Sequence, residues 1–404
     1  MEKIRWSLNT MPKTDKEKSI EILAEKEVVK ARDFHKSFPQ YEETPLVSLE
    51  NLSKELGVSG IYIKDESYRF GLNAFKVLGG SYAMAKYLAE RLGKDISELP
   101  YEKLISDEIR KELGDITFYT ATDGNHGRGI AWTANRLHQK SVVYMPKGSS
   151  QIRLENILAE EGAQASITDM NYDDAVRLAA KHAEETNGVM VQDTAWEGYV
   201  DIPVWIMQGY GTMALEAREQ LEKLGVDRPT HIFIQAGVGS LAGAVQGFFA
   251  SVYKDNVPIT VVVEPDLADC YYRSAVQGDG NPVNVGGDMQ TLMAGLACGE
   301  PNIIGFDILK NYATAFLSCP DYIAAKGMRI SAAPIKGDKQ VISGESGAVP
   351  LGSLFTILKD ENYAELRKEL KLDKDSKILI FNTEGNTDPA KYIDVVWDGE
   401  YPSK

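Results

Sequence analysis

Short apolar runs rich in β-branched residues alternate along the chain with longer amphipathic stretches. The runs have the length and composition of buried strands, and they are Ile61–Lys64, Ile116–Thr120, Ser141–Met145, Ala165–Thr168, Val189–Gln192, His231–Gln235, Thr260–Glu264 and Ile378–Asn382. Helical periodicity marks Gly80–Leu92, Gly127–Leu137, Ile152–Glu161, Tyr172–Thr186, Tyr210–Leu224 and Leu241–Tyr253. This alternation predicts an α/β fold with mostly parallel sheets flanked by helices.

Four of the predicted strands lie between about residues 115 and 192, each beside a helix, and can form a compact unit. We therefore predict a smaller α/β domain at 85–190, inserted into a larger domain made of 1–84 and 191–404. In open α/β sheets, ligands bind beyond the carboxyl ends of the strands. The loops to search for a site are therefore Thr120–Gly129, Asp193–Tyr199, Ala236–Gly243 and Thr383–Asp388.

Composition narrows the class of protein. The chain has 404 residues, 43% hydrophobic and 25% charged, which is ordinary for a soluble globular protein. A formal net charge of −15 repels nucleic acids and anionic membranes, so we expect neither as a partner. Few cysteines, no apolar leader and no membrane-spanning run lead us to expect a cytoplasmic protein. The histidines and cysteines lack metal-ligand spacing, so we expect no metal site.

Lys76 lies in an apolar stretch, between Phe75 and Val77, shortly before a glycine pair and a predicted helix. Burial disfavours an ammonium ion, so an apolar surround lowers the pKa of a lysine. A neutral amine is the form that condenses with an aldehyde cofactor. The alternative is that Lys76 extends from an apolar helix start to solvent and has no chemical role.

A glycine-rich turn, Ala236–Gly243, joins the predicted strand His231–Gln235 to a helix. Such a turn exposes backbone N–H groups, and the helix dipole adds to their attraction for an anion. The turn lacks the Lys-Ser/Thr pair of an ATP-binding loop and the acid-bearing arrangement of a dinucleotide site, so a single phosphate group fits best. Close packing of helix on strand through glycine is the alternative.

Two further loops carry carboxylates after predicted strands. Asp123 and Asn125 stand at a predicted helix start, where they suit a cap or a turn. The same helix start can seat a substrate carboxylate, and Asp123 can then take a proton. Asp193 is either a second base or a helix cap. Two weaker candidates are the turns Ser343–Gly347 and Asn382–Asn386.

Taken together, these motifs resemble fold-type II pyridoxal-phosphate (PLP) enzymes, the tryptophan-synthase-β-like superfamily. Within it, the resemblance is to the diaminopropionate ammonia-lyase family, whose signatures are similar to Gly71–Lys76, Thr122–Gly127 and Gln192–Tyr199. Serine and threonine dehydratases typically have a Ser in place of Asp123. The resemblance implies two domains, each with a mostly parallel sheet flanked by helices, and a cofactor in the cleft between them.

The resemblance also implies roles for the cofactor-binding residues. Lys76 would form the Schiff base with PLP, Asn125 would bind the ring hydroxyl, and Thr383 would face the pyridine nitrogen. A neutral hydroxyl leaves the ring a poorer electron sink than a carboxylate partner would, which favours elimination over transamination. The cofactor phosphate would be held by the backbone of Gly237, Val238, Gly239, Ser240 and Leu241.

The family is homodimeric and eliminates ammonia from both enantiomers of 2,3-diaminopropionate, through an aminoacrylate, to give pyruvate. By this resemblance, Asp193 would take the α-proton of the L-form and Asp123 that of the D-form. Carboxylates also suit a β-ammonium group. The candidate substrate-binding residues are Thr122, Asp123, Asp193 and Glu345.

Two alternatives stay open. One is a serine/threonine dehydratase-like or β-replacement PLP enzyme, against which Asp123 argues. The other is a non-catalytic module that binds an amino acid or PLP, since a fold does not determine function; the presence of Lys76 with both aspartates argues against it. The family's cysteine pair near an active-site loop would correspond to Cys270 and Cys298, and the sequence does not show whether they are bonded.

Overall fold

A computed structural model describes residues 3–403 of the chain. Within this range the strands form one sheet of seven and one of four. The strands are β1 (Arg5–Leu8), β2 (Leu46–Ser48), β3 (Gly60–Asp65), β4 (Thr117–Ala121), β5 (Lys140–Met145), β6 (Ala163–Ile167), β7 (Val189–Met190), β8 (His231–Gln235), β9 (Ile259–Pro265), β10 (Ala315–Cys319) and β11 (Lys377–Asn382).

The α-helices pack around these sheets. They are α1 (Lys16–Ile20), α2 (Glu25–Lys36), α3 (Glu50–Leu56), α4 (Val77–Arg91), α5 (Tyr101–Leu104), α6 (Asp107–Leu113), α7 (Asn125–Arg136), α8 (Gln151–Leu158), α9 (Tyr172–Glu185), α10 (Asp201–Lys223), α11 (Ser240–Tyr253), α12 (Cys270–Gln277), α13 (Ile303–Tyr312), α14 (Asp321–Ala332), α15 (Glu345–Lys359), α16 (Ala364–Glu369) and α17 (Pro389–Val396). Among the described residues, no helix combines the length and the apolarity needed to cross a bilayer.

The larger sheet has the strand order β1-β10-β9-β8-β11-β3-β2. Its five central strands run parallel, and the short edge strands β1 and β2 pair antiparallel with β10 and β3. Every residue of β8 and β10 is buried, as expected for strands covered on both faces. The parallel direction brings the carboxyl ends of β3, β8 and β11 to one edge, where their loops meet.

The smaller sheet has the order β6-β5-β4-β7 and is parallel throughout. Its four strands all fall inside the range 85–190, whereas the other seven fall outside it. On this basis we propose that 85–190 forms the smaller domain and that 1–84 with 191–404 forms the larger one. Helix α4 crosses this boundary and packs against both α10 and α7.

The eight strands predicted from the sequence are all present, and so are the six predicted helices. The sequence pattern did not predict β1, β2 and β10. The two edge strands have only four and three residues, too short for a clear period of two. The helix predicted from Tyr210 begins nine residues earlier, at Asp201, because the apolar stretch before it is also helical.

A buried ion network fixes the segment that leads from β3 towards Lys76. The carboxylate of Glu216 on α10 lies 2.7 Å from both Lys64 Nζ and Arg69 Nη2. Arg69 Nε also donates to Glu66, at 2.8 Å. All four side chains are essentially inaccessible to solvent. Their charges balance, so each depends on the others to offset the cost of burial.

We predict that Glu216→Gln destabilises the protein by about 3–5 kcal/mol, because it leaves an uncompensated buried cation. Burial raises the pKa of Glu216, but Arg69 and Lys64 outweigh burial and lower it to about 2. This contribution to stability is therefore present above the ordinary value of 4.5 and is lost as the pH falls towards about 2. Urea unfolding followed by circular dichroism measures the change.

The control is Glu222→Gln on the same helix, where an exposed carboxylate lies 3.4 Å from Arg218 Nε. We expect that variant to change stability by less than about 1 kcal/mol. Equal unfolding midpoints for the two variants would show that the buried network does not stabilise the fold.

Candidate active site

The carboxyl ends of strands from both sheets meet at a cleft of about 590 Å³. The larger sheet contributes the loops after β8 and β11, and the smaller sheet contributes the loops after β4 and β7. The predicted residues that line this inner cavity are Lys76, Asp123, Asn125, Asp193, Gly237, Val238, Gly239, Ser240, Leu241 and Thr383. A wider cavity of about 1670 Å³ opens beyond it and adds Thr122 and Glu345. The structure thus brings every predicted site residue to one place.

Lys76 stands directly before α4, which begins at Val77. Its Nζ lies 2.5 Å from Asp193 Oδ2, so the two side chains form an ion pair inside the cleft. Burial alone lowers the pKa of Lys76, but the charge of Asp193 outweighs burial and raises it above its ordinary value. The prediction of a lowered pKa is therefore wrong, because the apolar neighbours in sequence are not the group that the amine faces.

Asp193 follows β7 and is held from several sides. Gln192 Oε1 accepts hydrogen bonds from the hydroxyl of Thr120 and the N–H of Ala121 on β4. Its amide also donates weakly to Asp193 Oδ1, at 3.4 Å. The hydroxyl of Ser240 donates to the backbone carbonyl of Asp193, which links the glycine-rich loop to this segment. Burial raises the pKa of Asp193, but the charge of Lys76 outweighs burial and lowers it to about 2.

Asp123 has a different partner, which the sequence did not predict. Arg153 on α8 is buried, and its Nη1 lies 3.2 Å from Asp123 Oδ2. Its Nη2 donates to Thr387 at 3.2 Å and lies 3.9 Å from Glu345 Oε1. Gly124 makes room for this side chain, since a Cβ there would lie 2.7 Å from Arg153 Cδ.

Arg153 is a single cation surrounded by several carboxylates. Glu345 and Glu384 are both buried. Burial and the charge of Glu384 raise the pKa of Glu345 to about 7, although Arg153 opposes the shift. Glu384 also accepts hydrogen bonds from the amide of Asn125 and from the backbone N–H of Ser346. Glu384 therefore fixes the orientation of the asparagine that was predicted to bind a cofactor.

The glycine-rich loop presents free backbone donors to the cavity. Gly239 precedes α11 with φ +93°, and a Cβ there would lie 1.9 Å from the hydroxyl of Tyr271. The carbonyl of Val238 accepts from that hydroxyl at 2.9 Å and from the N–H of Asn302 at 2.7 Å. The N–H groups of 237–241 donate to no group in the part of the chain that the structure describes. Such an array at a helix start is suited to an anion.

Thr383 follows β11 and lies beside the same loop. Gln235 at the end of β8 donates to its Oγ1 at 2.7 Å, which leaves the threonine hydroxyl free to donate into the cavity. The backbone carbonyl of Thr383 accepts from the N–H of Phe75 at 3.0 Å and so ties this loop to the segment that carries Lys76.

Several residues at the cleft were not predicted. Gln235 and Glu384 adjoin predicted residues in sequence, and that adjacency was the signal that could have found them. Arg153, Tyr172 and Tyr210 lie on helices and carry no local signal, whereas Ser346 falls in the candidate turn Ser343–Gly347 and Cys298 belongs to the cysteine pair that the resemblance placed near an active-site loop. Of these, Tyr172 also accepts a hydrogen bond from Gln192, at 2.8 Å.

Two predicted residues have side chains committed to local structure. The hydroxyl of Thr122 accepts from the N–H of Gly124 at 2.9 Å and so caps its own turn. The side chain of Ser240 is used by Asp193 and Asn302, which leaves its backbone N–H for a ligand. Cys270 and Cys298 are buried and free, so no bond joins the pair in this structure.

A family model described as pyridoxal-phosphate dependent enzyme matches residues 38–384. That range contains every site residue that was predicted from the sequence. The cleft between the chain's two mostly parallel sheets supplies Lys76, an amine that can bond an aldehyde cofactor. The chain is therefore a pyridoxal-phosphate dependent enzyme by class.

The relatives narrow this class. The chain is 55% identical over 367 residues to the diaminopropionate ammonia-lyase of Salmonella typhimurium strain LT2, covering 91% of each. It is 48% identical to a holo diaminopropionate ammonia lyase from Escherichia coli, with a TM-score of 0.91 and coverage of 99% of this chain and 98% of that one. The same Escherichia coli enzyme in complex with an aminoacrylate-PLP azomethine intermediate gives a TM-score of 0.89, 46% identity and the same coverage. The chain belongs to the diaminopropionate ammonia-lyase family.

The residues present fit this cofactor. The unpaired N–H groups of 237–241 suit one phosphate, and Lys76 supplies the only amine among the residues that line the inner cavity. The free hydroxyl hydrogen of Thr383 suits a ring nitrogen that is not protonated. Ser346 Oγ is buried without a hydrogen-bond partner in residues 3–403, which leaves a further donor for a bound molecule.

We predict that Gly239→Ala sharply weakens PLP binding, because the new methyl group would overlap Tyr271 and displace the loop. Gly278→Ala is the control, since Gly278 also has a positive φ, of +75°, but a Cβ there meets nothing closer than 3.8 Å. Cofactor content, measured by absorbance after gel filtration, should fall in the first variant and stay unchanged in the second. Equal retention would show that the loop does not hold the phosphate.

Proposed function

We propose that the chain catalyses α,β-elimination of D- and L-2,3-diaminopropionate to pyruvate and two ammonia. The observation that carries the proposal is one cleft that holds Lys76 and two carboxylates, the buried Asp193 and the partly buried Asp123, with different partners. Membership of the diaminopropionate ammonia-lyase family supports the substrate. The reaction needs an amine to bind the cofactor and bases to remove an α-proton, and these side chains supply both.

Each part of the cofactor has a proposed partner in the cleft. Lys76 would bond PLP, the N–H groups of Gly237–Leu241 would hold the phosphate, Asn125 would bind the ring hydroxyl, and Thr383 would donate to the ring nitrogen. When bound, PLP withdraws electrons from the substrate's α-carbon and so makes its proton acidic. Glu384 keeps the amide of Asn125 in one orientation.

Lys76 and Asp193 exchange a proton. Asp193 lies 2.5 Å from the ammonium and is the nearest group able to accept its proton, which leaves the amine neutral and reactive. When the ammonium charge is gone, burial becomes the main influence on the pKa of Asp193 and raises it. The proton must pass from Asp193 to solvent before this carboxylate can act as a base, and its raised pKa then makes it a stronger one.

Asp123 serves the opposite enantiomer. It lies in the loop after β4, whereas Asp193 lies in the loop after β7, so the two carboxylates approach the cleft from separate positions. We assign Asp193 to the L-form and Asp123 to the D-form. Arg153 orients Asp123 through a contact of 3.2 Å.

The wider cavity favours a second ammonium group on the substrate. Glu345 and Asp123 share Arg153, so the cation present does not neutralise both. A β-ammonium offsets the remaining charge, whereas the hydroxyl of serine does not. Thr122 lines the same cavity and completes the proposed substrate site.

Two further proposals concern the cellular compartment and the oligomeric state. We place the protein in the cytoplasm, a compartment that suits three buried free cysteines. We also propose a homodimer, which rests on the resemblance to the family alone.

We predict that kcat/KM for 2,3-diaminopropionate exceeds that for serine by at least about 100-fold, the scale of a buried ion pair that the hydroxyl cannot form. Assay of ammonia and pyruvate over a panel of small amino acids measures the ratio. Comparable turnover of serine or threonine would instead favour the dehydratase-like alternative. A chromophore fixed to Lys76 by borohydride, without ammonia release from any substrate, would indicate a non-catalytic PLP-binding module.

We predict that Asp193→Asn lowers kcat for L-diaminopropionate by about 100-fold or more and that Asp123→Asn does so for the D-form. Each variant serves as the control for the other, because both remove one carboxylate from the same cleft. Stopped assays on the separate enantiomers measure the selectivity. Equal losses on both enantiomers in either variant would contradict the two-base assignment.

A further inference from the structure

His126, the second residue of α7, is fully buried, and its two ring nitrogens have different surroundings. Nε2 lies 2.9 Å from the backbone carbonyl of Val191, and because a carbonyl only accepts, Nε2 carries the hydrogen. Burial lowers the pKa of His126, so the ring is neutral and Nδ1 is an acceptor. In the described part of the chain, Nδ1 has no hydrogen-bond partner.

The side-chain oxygen that Nδ1 faces is Asp193 Oδ2, at 4.0 Å. An ionised carboxylate cannot donate to an acceptor, so the two groups form no hydrogen bond while Asp193 is charged. Once Asp193 carries a proton and has released Lys76, its O–H can turn to Nδ1 with a shift of about 1 Å, the difference from ordinary hydrogen-bond length. The geometry around His126 is therefore complementary to the protonated form of Asp193.

We propose that His126 is a positioning residue that accepts a hydrogen bond from Asp193 after this carboxyl has taken the α-proton of the L-substrate. The inference rests on the proposed function. In the step, the Cα–H bond breaks and its proton goes to Asp193 Oδ2. The electron pair forms the new carbon–carbon double bond, and the β-carbon–nitrogen bond breaks with its pair on the departing ammonia. The proton then leaves Asp193 with that ammonia, as ammonium.

The neighbouring groups confine this effect to Asp193. The buried hydroxyl of Tyr210 acts on Asp193, and a hydroxyl can donate to the ionised form of that carboxyl. Asp123 instead pairs with Arg153, whose Nη1 lies 3.2 Å from Asp123 Oδ2. The charged groups that act on His126 are Asp193, Lys76 and Asp123. Loss of the Nδ1 acceptor should therefore affect the L-reaction and spare the D-reaction.

The experiment compares His126→Gln with His126→Asn in the PLP-loaded enzyme. Glutamine can reach the Nε2 position and keep the bond to Val191, but it has no acceptor at the Nδ1 position. Asparagine places its amide at the Nδ1 position and loses the bond to Val191. We expect His126→Gln to lower kcat for the L-form by about 10-fold, the worth of one hydrogen bond, with KM and the D-reaction nearly unchanged. His126→Asn should retain more of the L-reaction.

The pH profile adds a readout that a structural defect would not change. Since the Nδ1 acceptor stabilises protonated Asp193, its removal should shift the acid limb of kcat/KM for the L-form to lower pH, by about one pH unit. The acid limb for the D-form should stay in place. Equal PLP absorbance and equal unfolding midpoints in the wild type and both variants control for loading and folding.

Each other result decides against the inference. Equal losses on both enantiomers, an unchanged L-reaction in His126→Gln, or a greater loss in His126→Asn would assign His126 a structural role through Val191. If the wild-type enzyme processes both enantiomers and only these variant results fail, the proposed function stands and the inference alone falls. If the wild type releases no ammonia from either enantiomer, both fall together.

Discussion

The ion pair between Lys76 and Asp193 is the interaction on which the rest of the site depends. It joins a side chain at the start of α4 to one at the end of β7, and the charges are 2.5 Å apart in a buried cleft. Removing either partner leaves the other with an uncompensated charge in a largely enclosed cleft. The protein therefore holds its reactive amine as an ammonium and provides the group able to deprotonate it at the same contact.

The two sheets supply different kinds of group to this contact. The larger sheet ends in neutral donors, the backbone of the loop after β8 and the hydroxyl of Thr383 after β11. The smaller sheet ends in carboxylates, Asp123 and Asp193. Ser240 connects the two, since its hydroxyl donates to the carbonyl of Asp193. A second link between the loops of the two sheets is the hydrogen bond from the amide of Asn125 to Glu384.

Much of this arrangement could be predicted because it is encoded locally. Glycines at a strand-to-helix turn, or a lysine before a glycine pair, can be interpreted from the sequence alone, without knowing which residues lie near them in space. Arg153 and Tyr210 could not be found this way, because each becomes part of the site only when distant helices are brought to the cleft. The prediction of a lowered pKa for Lys76 was wrong for the same reason. The decisive charge is 117 residues away in sequence, whereas the apolar residues beside the lysine are its covalent neighbours.

The charges that line the wider cavity affect which molecules enter it and which leave. Its acidic residues are Asp123, Asp193, Asp288, Asp321, Glu345 and Asp388, against four basic ones, Lys76, Lys147, Arg153 and Lys391. A surface with this imbalance draws in a molecule that carries two ammonium groups and one carboxylate, and it repels a small keto acid. Under the proposed reaction, the same electric field favours both binding of the substrate and release of the keto acid product. Added salt would weaken both.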